Sequence, residues 1–125
     1  MGQQQLLLIV LGVIIVGIAV VVGINLFTAN AVSSNRDGVV SDLNYIGANA
    51  MQYYRRPTAI GGGGYTFTNW TLPAEIDTTP NGIYSATVTA QSITVVGTGN
   101  EKNAGTAIKH TATITSTTIT IVKNN

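Results

Sequence analysis

The sequence predicts an α+β protein: a long N-terminal α-helix, apolar in its first half and amphipathic in its second, packed on a small antiparallel β-sheet of four or five strands. Three observations predict it. Residues 6–24 form an unbroken apolar run, a helical rhythm continues beyond it as far as Tyr54, and after the glycines at 61–64 the hydrophobic period changes to two. The expected organisation is a protruding hydrophobic helix at 1–27, an amphipathic helical half at 28–56 that covers the sheet, and a threonine-rich β domain at 57–125.

The apolar run reads LLLIVLGVIIVGIAVVVGI, fifteen Leu, Ile or Val interrupted only by Gly12, Gly17, Ala19 and Gly23. As a helix, these residues span roughly 28 Å, close to the hydrocarbon thickness of a bilayer. Eleven of the fifteen are β-branched, which weakly favours strand, but an apolar stretch of this length overrides that preference. Burial of each large aliphatic side chain is worth about 1.5–3 kcal/mol, so the segment gains tens of kcal/mol on leaving water. No charged side chain occurs at positions 1–35, and all eleven lie in the remaining 90. A cleaved signal peptide would have a basic start, a shorter apolar core and a small-residue cleavage site. Met1-Gly2-Gln3-Gln4-Gln5 has no Lys or Arg, so the run is expected to stay in the protein. Orientation is not encoded by flanking charge, because no basic residue precedes the run and Arg36 is offset by Asp37.

Past the run, Val32, Val39, Leu43, Ile46, Ala50 and Tyr53 or Tyr54 recur at spacings of one helical face. Asn35, Arg36, Asp42 and Asn49 fall mostly on the other side, where they can face water. Pro57 ends the helix by pushing Arg56 out of helical geometry. One helix from about Gln3 to about Arg55 is expected, some 80 Å long if unbroken. The glycines at 61–64 read as a flexible joint, since no Lys-Ser/Thr follows them to cradle a phosphate.

The remainder alternates. Tyr65-Thr66-Phe67-Thr68, Ser85-Ala86-Thr87-Val88-Thr89-Ala90, Ile93-Thr94-Val95, Ala112-Thr113-Ile114-Thr115 and Ile119-Thr120-Ile121 each read as a strand with an aliphatic face and a threonine face. Apolar parity switches between Ile114 and Ile119, which requires a turn or bulge at 116–118. Pro80-Asn81-Gly82 reads as a turn and 97–105 as a polar hairpin loop. So small a sheet is marginal alone, and the apolar stripe at 32–54 supplies its cover.

Composition narrows the function. The chain has no cysteine, one histidine (His110), five carboxylates and eighteen threonines. Disulfides, thiolate zinc sites and cysteine nucleophiles are excluded, and a multi-histidine metal site with them. A net charge of +1 gives no basic surface for nucleic acid. No cofactor and no enzymatic activity are expected, since no nucleophile–base pair or carboxylate pair is visible.

A bare apolar helical half at 3–23, one continuous helix of about 53 residues and a small C-terminal sheet together resemble the type IV pilin superfamily. The resemblance covers the whole chain in layout, and at the level of residues it rests on 3–23. It implies a structural subunit that is held in the inner membrane before assembly. Pilus assembly machinery with an ATPase then extracts it, and the helices bundle in the core of an extracellular filament, a homopolymer of many copies. Leu6, Leu7, Val10, Gly12, Val13, Val16, Gly17, Val20 and Gly23 are the expected subunit-packing residues, with Gly12 and Gly17 allowing close helix approach. Pilins carry a glutamate at the fifth mature position that pairs with a neighbour's N-terminal amine. Counting from Met1, that place is Gln5, which hydrogen-bonds without an ion pair; cleavage after Gly2 would shift the register. The helix-melting proline and the C-terminal disulfide loop of many bacterial pilins have no counterpart, and archaeal pilins with threonine-rich β domains are a nearby variant. The competing readings are a single-pass membrane-anchored protein with a small extracytoplasmic β domain, and a minor pilin or pseudopilin of a secretion system.

The other features carry plain readings. Asn69-Trp70-Thr71 is the one glycosylation sequon, with Asn69 the acceptor if sugar is attached and a chance match the favoured reading. Arg55 and Arg56 read as a solvated helix end that satisfies last-turn carbonyls. His110 reads as an ordinary strand residue. Tyr45, Tyr53 and Tyr54 are expected to pack on the sheet, and Phe67 and Trp70 to belong to the core.

Overall fold

A computed structural model describes residues 2–125. Its secondary structure is a helix α1 (Gly2–Arg55), a single 3-10 turn (Thr58–Ile60), a four-residue helix α2 (Ala74–Asp77) and five strands. These are β1 (Thr78–Thr79), β2 (Gly82–Val88), β3 (Ser92–Asn103), β4 (Thr106–Thr115) and β5 (Ile119–Lys123). The fold is α+β, with one antiparallel sheet in the order β1-β2-β3-β4-β5. The chain divides into two compact units, one ending at Ala31 and the other spanning Val32–Asn125.

Within the second unit, α1 lays its apolar stripe on one face of the sheet. Val39, Leu43, Ile46 and Ala50 are fully buried against Ile93, Val95, Ile108, Ala112 and Ile114, with Phe67, Trp70 and Tyr84 completing the core. The strand register explains why alternating Thr and aliphatic residues produce two different faces. Thr87, Thr94, Thr113 and Thr120 align as one row across β2 to β5, away from the helix. Their neighbours along each strand, Val88, Ile93, Ile114 and Ile119, align as a row beneath the helix. A one-residue slip in any strand would exchange these rows, so the pattern also fixes the register. The change of parity between Ile114 and Ile119 is resolved by a tight turn: the two residues pair directly, and Thr115 and Thr118 exchange backbone and hydroxyl contacts across it.

Four local readings of the sequence are corrected. The 65–68 segment alternates but forms no strand: Tyr65 has φ 64°, which breaks the pleat, and its one backbone–backbone bond towards the sheet is from the Phe67 N–H to the Ala90 carbonyl, which also accepts from Thr66 Oγ1. The glycines at 61–64 form an ordered cap on α1 rather than a flexible joint. Gly63, Tyr65 and Gly64 donate backbone N–H groups to the carbonyls of Tyr53, Tyr54 and Arg56. Helix-end carbonyls otherwise lack partners, and here backbone amides supply them in place of the Arg55 and Arg56 side chains, which stay exposed. Tyr45 is likewise exposed instead of packed, whereas Tyr53 and Tyr54 do pack on the core.

The fourth correction concerns 97–105, which is strand through Asn103, with an irregularity between Thr98 and Lys102. Only Ala104 and Gly105 remain as the turn, with φ 54° and 83°. Two consecutive positive φ values match a type I′ hairpin, whose first position favours Asn over Ala. Replacing Ala104 with Asn should stabilise the protein by about 0.5–1 kcal/mol, because Ala bears the steric cost of the left-handed region. A chemical-denaturation midpoint that falls on this change would contradict the turn geometry.

Candidate functional site

The first unit consists of the helical residues up to Ala31, and its chemistry is simple. From Leu6 to Phe27 every large apolar side chain is 50–78% exposed, while Val39, Leu43 and Ile46 of the same helix are at 0%. The candidate packing residues Leu6, Leu7, Val10, Val13, Val16 and Val20 are all among the exposed ones. A side chain added at Gly12, Gly17 or Gly23 would meet nothing within 4 Å. Gln5 is exposed on the opening turns of α1. This helix is long and apolar enough to cross a membrane.

Helical geometry sorts these residues into two stripes. At 100° per residue, Leu6, Val10, Val13, Gly17 and Val20 fall on one line, an aliphatic ridge with one gap. Gly12, Val16, Ala19 and Gly23 fall on another, roughly 100° round the helix, where small residues leave a groove. Gly12 and Gly17 therefore point about 140° apart and would serve different neighbours rather than one. Ridge and groove on a single helix are complementary features, and small residues let a second backbone come close. Leu7 stands on neither stripe and adds to an apolar surface that runs all round.

In the second unit the polar residues that the sequence assigned to water turn out to join helix to sheet. Asn35 is buried: its Nδ2 donates to the carbonyl of Asn81 at 2.6 Å, and its Oδ1 accepts from the Glu101 N–H at 3.0 Å. Arg36 donates through Nη1 to the carbonyl of Asn125. Asp42 Oδ2 accepts three bonds, from Tyr84 Oη at 2.6 Å, Thr79 Oγ1 at 2.7 Å and Asn81 Nδ2 at 3.1 Å. Burial alone would raise the Asp42 carboxyl, but these three donors hold it below the ordinary carboxylate value. Tyr84 moves the opposite way, raised by its own burial and then by its hydrogen bond to Asp42. No sequence signal marks these residues as partners, since 37–89 positions separate them.

The Asp42 cluster has a pH consequence. Its folded pKa lies below the unfolded value, so its stabilisation is complete above about pH 4 and is lost as pH falls through the folded value. Asp42→Asn should cost about 1–3 kcal/mol at neutral pH, the usual worth of bonds to a charged acceptor. Urea midpoints measured from pH 6 to 2.5 should then fall less steeply in the variant than in the parent chain. Parallel slopes would mean that Asp42 is not the group responsible.

Asn69 stands exposed in the turn before Trp70, on the rim of a shallow groove that it shares with Asn49, Gln52 and Arg56. Trp70 is buried and donates through Nε1 to Asn49 Oδ1 at 3.2 Å. Among the described residues no group of three or more His, Asp or Glu comes together as a metal site would require. No family model, curated protein or solved structure matches this chain.

Proposed function

We propose that the chain is the repeating structural subunit of an extracellular helical filament of the type IV pilus kind, held in a membrane by its apolar helix until assembly machinery draws it into the polymer. The observation that carries this reading is the exposure of every large side chain from Leu6 to Phe27 in a chain whose second unit has a complete core. A surface worth tens of kcal/mol in water must be covered. Lipid covers it before assembly, and after assembly copies of the same helix do, ridge against groove. A contact in which one patch meets a different patch on the next copy does not close on itself and so generates a filament. The threonine row faces away from the helix, and its hydroxyls suit an outer, wetted surface.

Shearing cells that make the protein and imaging the released material by negative stain tests this. The reading predicts fibres composed mainly of one band near 13 kDa. A solitary single-pass anchored protein would instead stay with the membrane fraction and release no fibres, which would overturn the filament assignment.

A further inference from the structure

His110 is the single histidine of the chain. It is 5% exposed, and its Nδ1 is the one buried side-chain nitrogen or oxygen without a hydrogen-bond partner among the described residues. Groups of this kind are rare in folded proteins and call for an explanation. It lies on β4 between Ile108 and Ala112 in the row that faces α1, so it belongs to the helix–sheet contact.

The strand register places Tyr84, Gly97, His110 and Lys123 side by side across β2 to β5. Gly97 gives the imidazole no side-chain partner on β3. Its space is closed by Tyr84 and Val39, the atoms that an added Cβ would meet first. The charged groups facing the ring are Lys123 on β5 and Arg36 on α1, both cationic. Of the two acids on α1, Asp37 is exposed and Asp42 is committed to Tyr84, Thr79 and Asn81. Burial first, then Arg36 and Lys123, hold the imidazole below its ordinary value. A protonated ring would carry two N–H donors, and the one at Nδ1 would be buried with no acceptor in the field of two positive charges.

We propose that His110 is an acid-sensitive latch: neutral, it is tolerated between α1 and the sheet, and on protonation it releases the 35–39 turns of the helix from β3–β5. The unfolded chain takes up this proton near pH 6.5 while the folded chain resists it. Stability is therefore complete above that pH, falls as the medium becomes more acidic, and levels out once the folded ring is protonated too. The window lies above the one in which Asp42 acts, and the device is independent of the apolar helical segment.

The full chain in non-ionic micelles tests it directly. With a single histidine, a ¹³C-labelled ring gives one resonance, expected to titrate below pH 6.5. Between pH 7 and 5 the melting temperature should fall further in the parent chain than in His110→Leu, because only the parent takes up this proton more readily when unfolded. Over the same range, amides at 35–39 should lose hydrogen-exchange protection while Thr94 and Thr113 keep theirs. A ring that titrates at or above 6.5, equal temperature slopes in parent and variant, or unchanged protection at 35–39 would each overturn the proposal. If His110→Leu does not fold, the ring titration and the exchange pattern of the parent chain decide the matter.

Discussion

Replacing Val16 with Asp should abolish fibres in electron micrographs and leave the second unit folded. Val16 sits at the centre of the small-residue stripe with Gly12, Ala19 and Gly23, where a neighbouring helix would come closest. A carboxylate there costs about 2.5–3.5 kcal/mol at the centre of an apolar environment. Each 1.4 kcal/mol is a tenfold change in an association constant, so a single contact weakens by roughly a hundredfold, and a polymer repeats the penalty at every subunit. The site is more than ten residues from Val32, where the second unit begins, and the buried core at Val39, Leu43 and Ile46 is untouched. Circular dichroism and the environment of the single tryptophan, Trp70, should therefore match the parent. Normal fibres from the variant would refute the packing role of this stripe.

Truncating Leu43 to Ala should lower the stability of the second unit by about 2–5 kcal/mol, the range for a fully buried leucine that leaves a cavity. Leu43 is at 0% exposure on the sheet-facing side of α1, in the cluster with Ile46, Ile93 and Ile114. A domain of this size has about 5–15 kcal/mol in total, so the variant should melt many degrees lower or fail to fold at 37 °C. Two residues further on, Tyr45 is 60% exposed, and Tyr45→Ala should change stability by less than about 0.5 kcal/mol. Comparable losses in both variants, measured by thermal melts, would mean that α1 meets the sheet through a different face.

The contrast between Leu43 and Tyr45 shows how far the fold can be read from sequence. Hydrophobic spacing located Val39, Leu43, Ile46 and Ala50, because only one helical face can meet a sheet. Tyr45 groups with Tyr53 and Tyr54 by their mutual spacing, but at 100° per residue it lies about 130° from the centre of the stripe, on the side that faces water. Alternation found the Ile93, Ile114 and Ile119 row and the turn that changes its parity. It also suggested a strand at 65–68, but alternation is necessary for a strand and not sufficient, and that segment has no partner that forms a ladder. The opposite error occurred at 97–103, where glycine and polar residues resemble a loop yet pair with β2 and β4 over most of their length. Ladder hydrogen bonds there outweigh weak local preference.

The buried polar contacts were the least legible. Asn35 and Asp42 read as water-facing because periodicity sorts residues by polarity, whereas their burial depends on Asn81, Tyr84 and Glu101, far along the chain. His110 shares an alternating strand with Ile108 and Ala112, and its phase alone placed it inward. In the apolar helix the candidate residues could be named from the run itself. Their division into ridge and groove follows from helical phase, which the sequence contains once the helix is granted.

The central claim is that the side chains from Leu6 to Phe27 are covered only by lipid or by other copies of the same segment. Sedimentation of the purified full-length chain after complete detergent removal measures this directly. Polymers or precipitate are expected, with no stable species at the 13.0 kDa of a single chain. A soluble, long-lived monomer at that mass would contradict it.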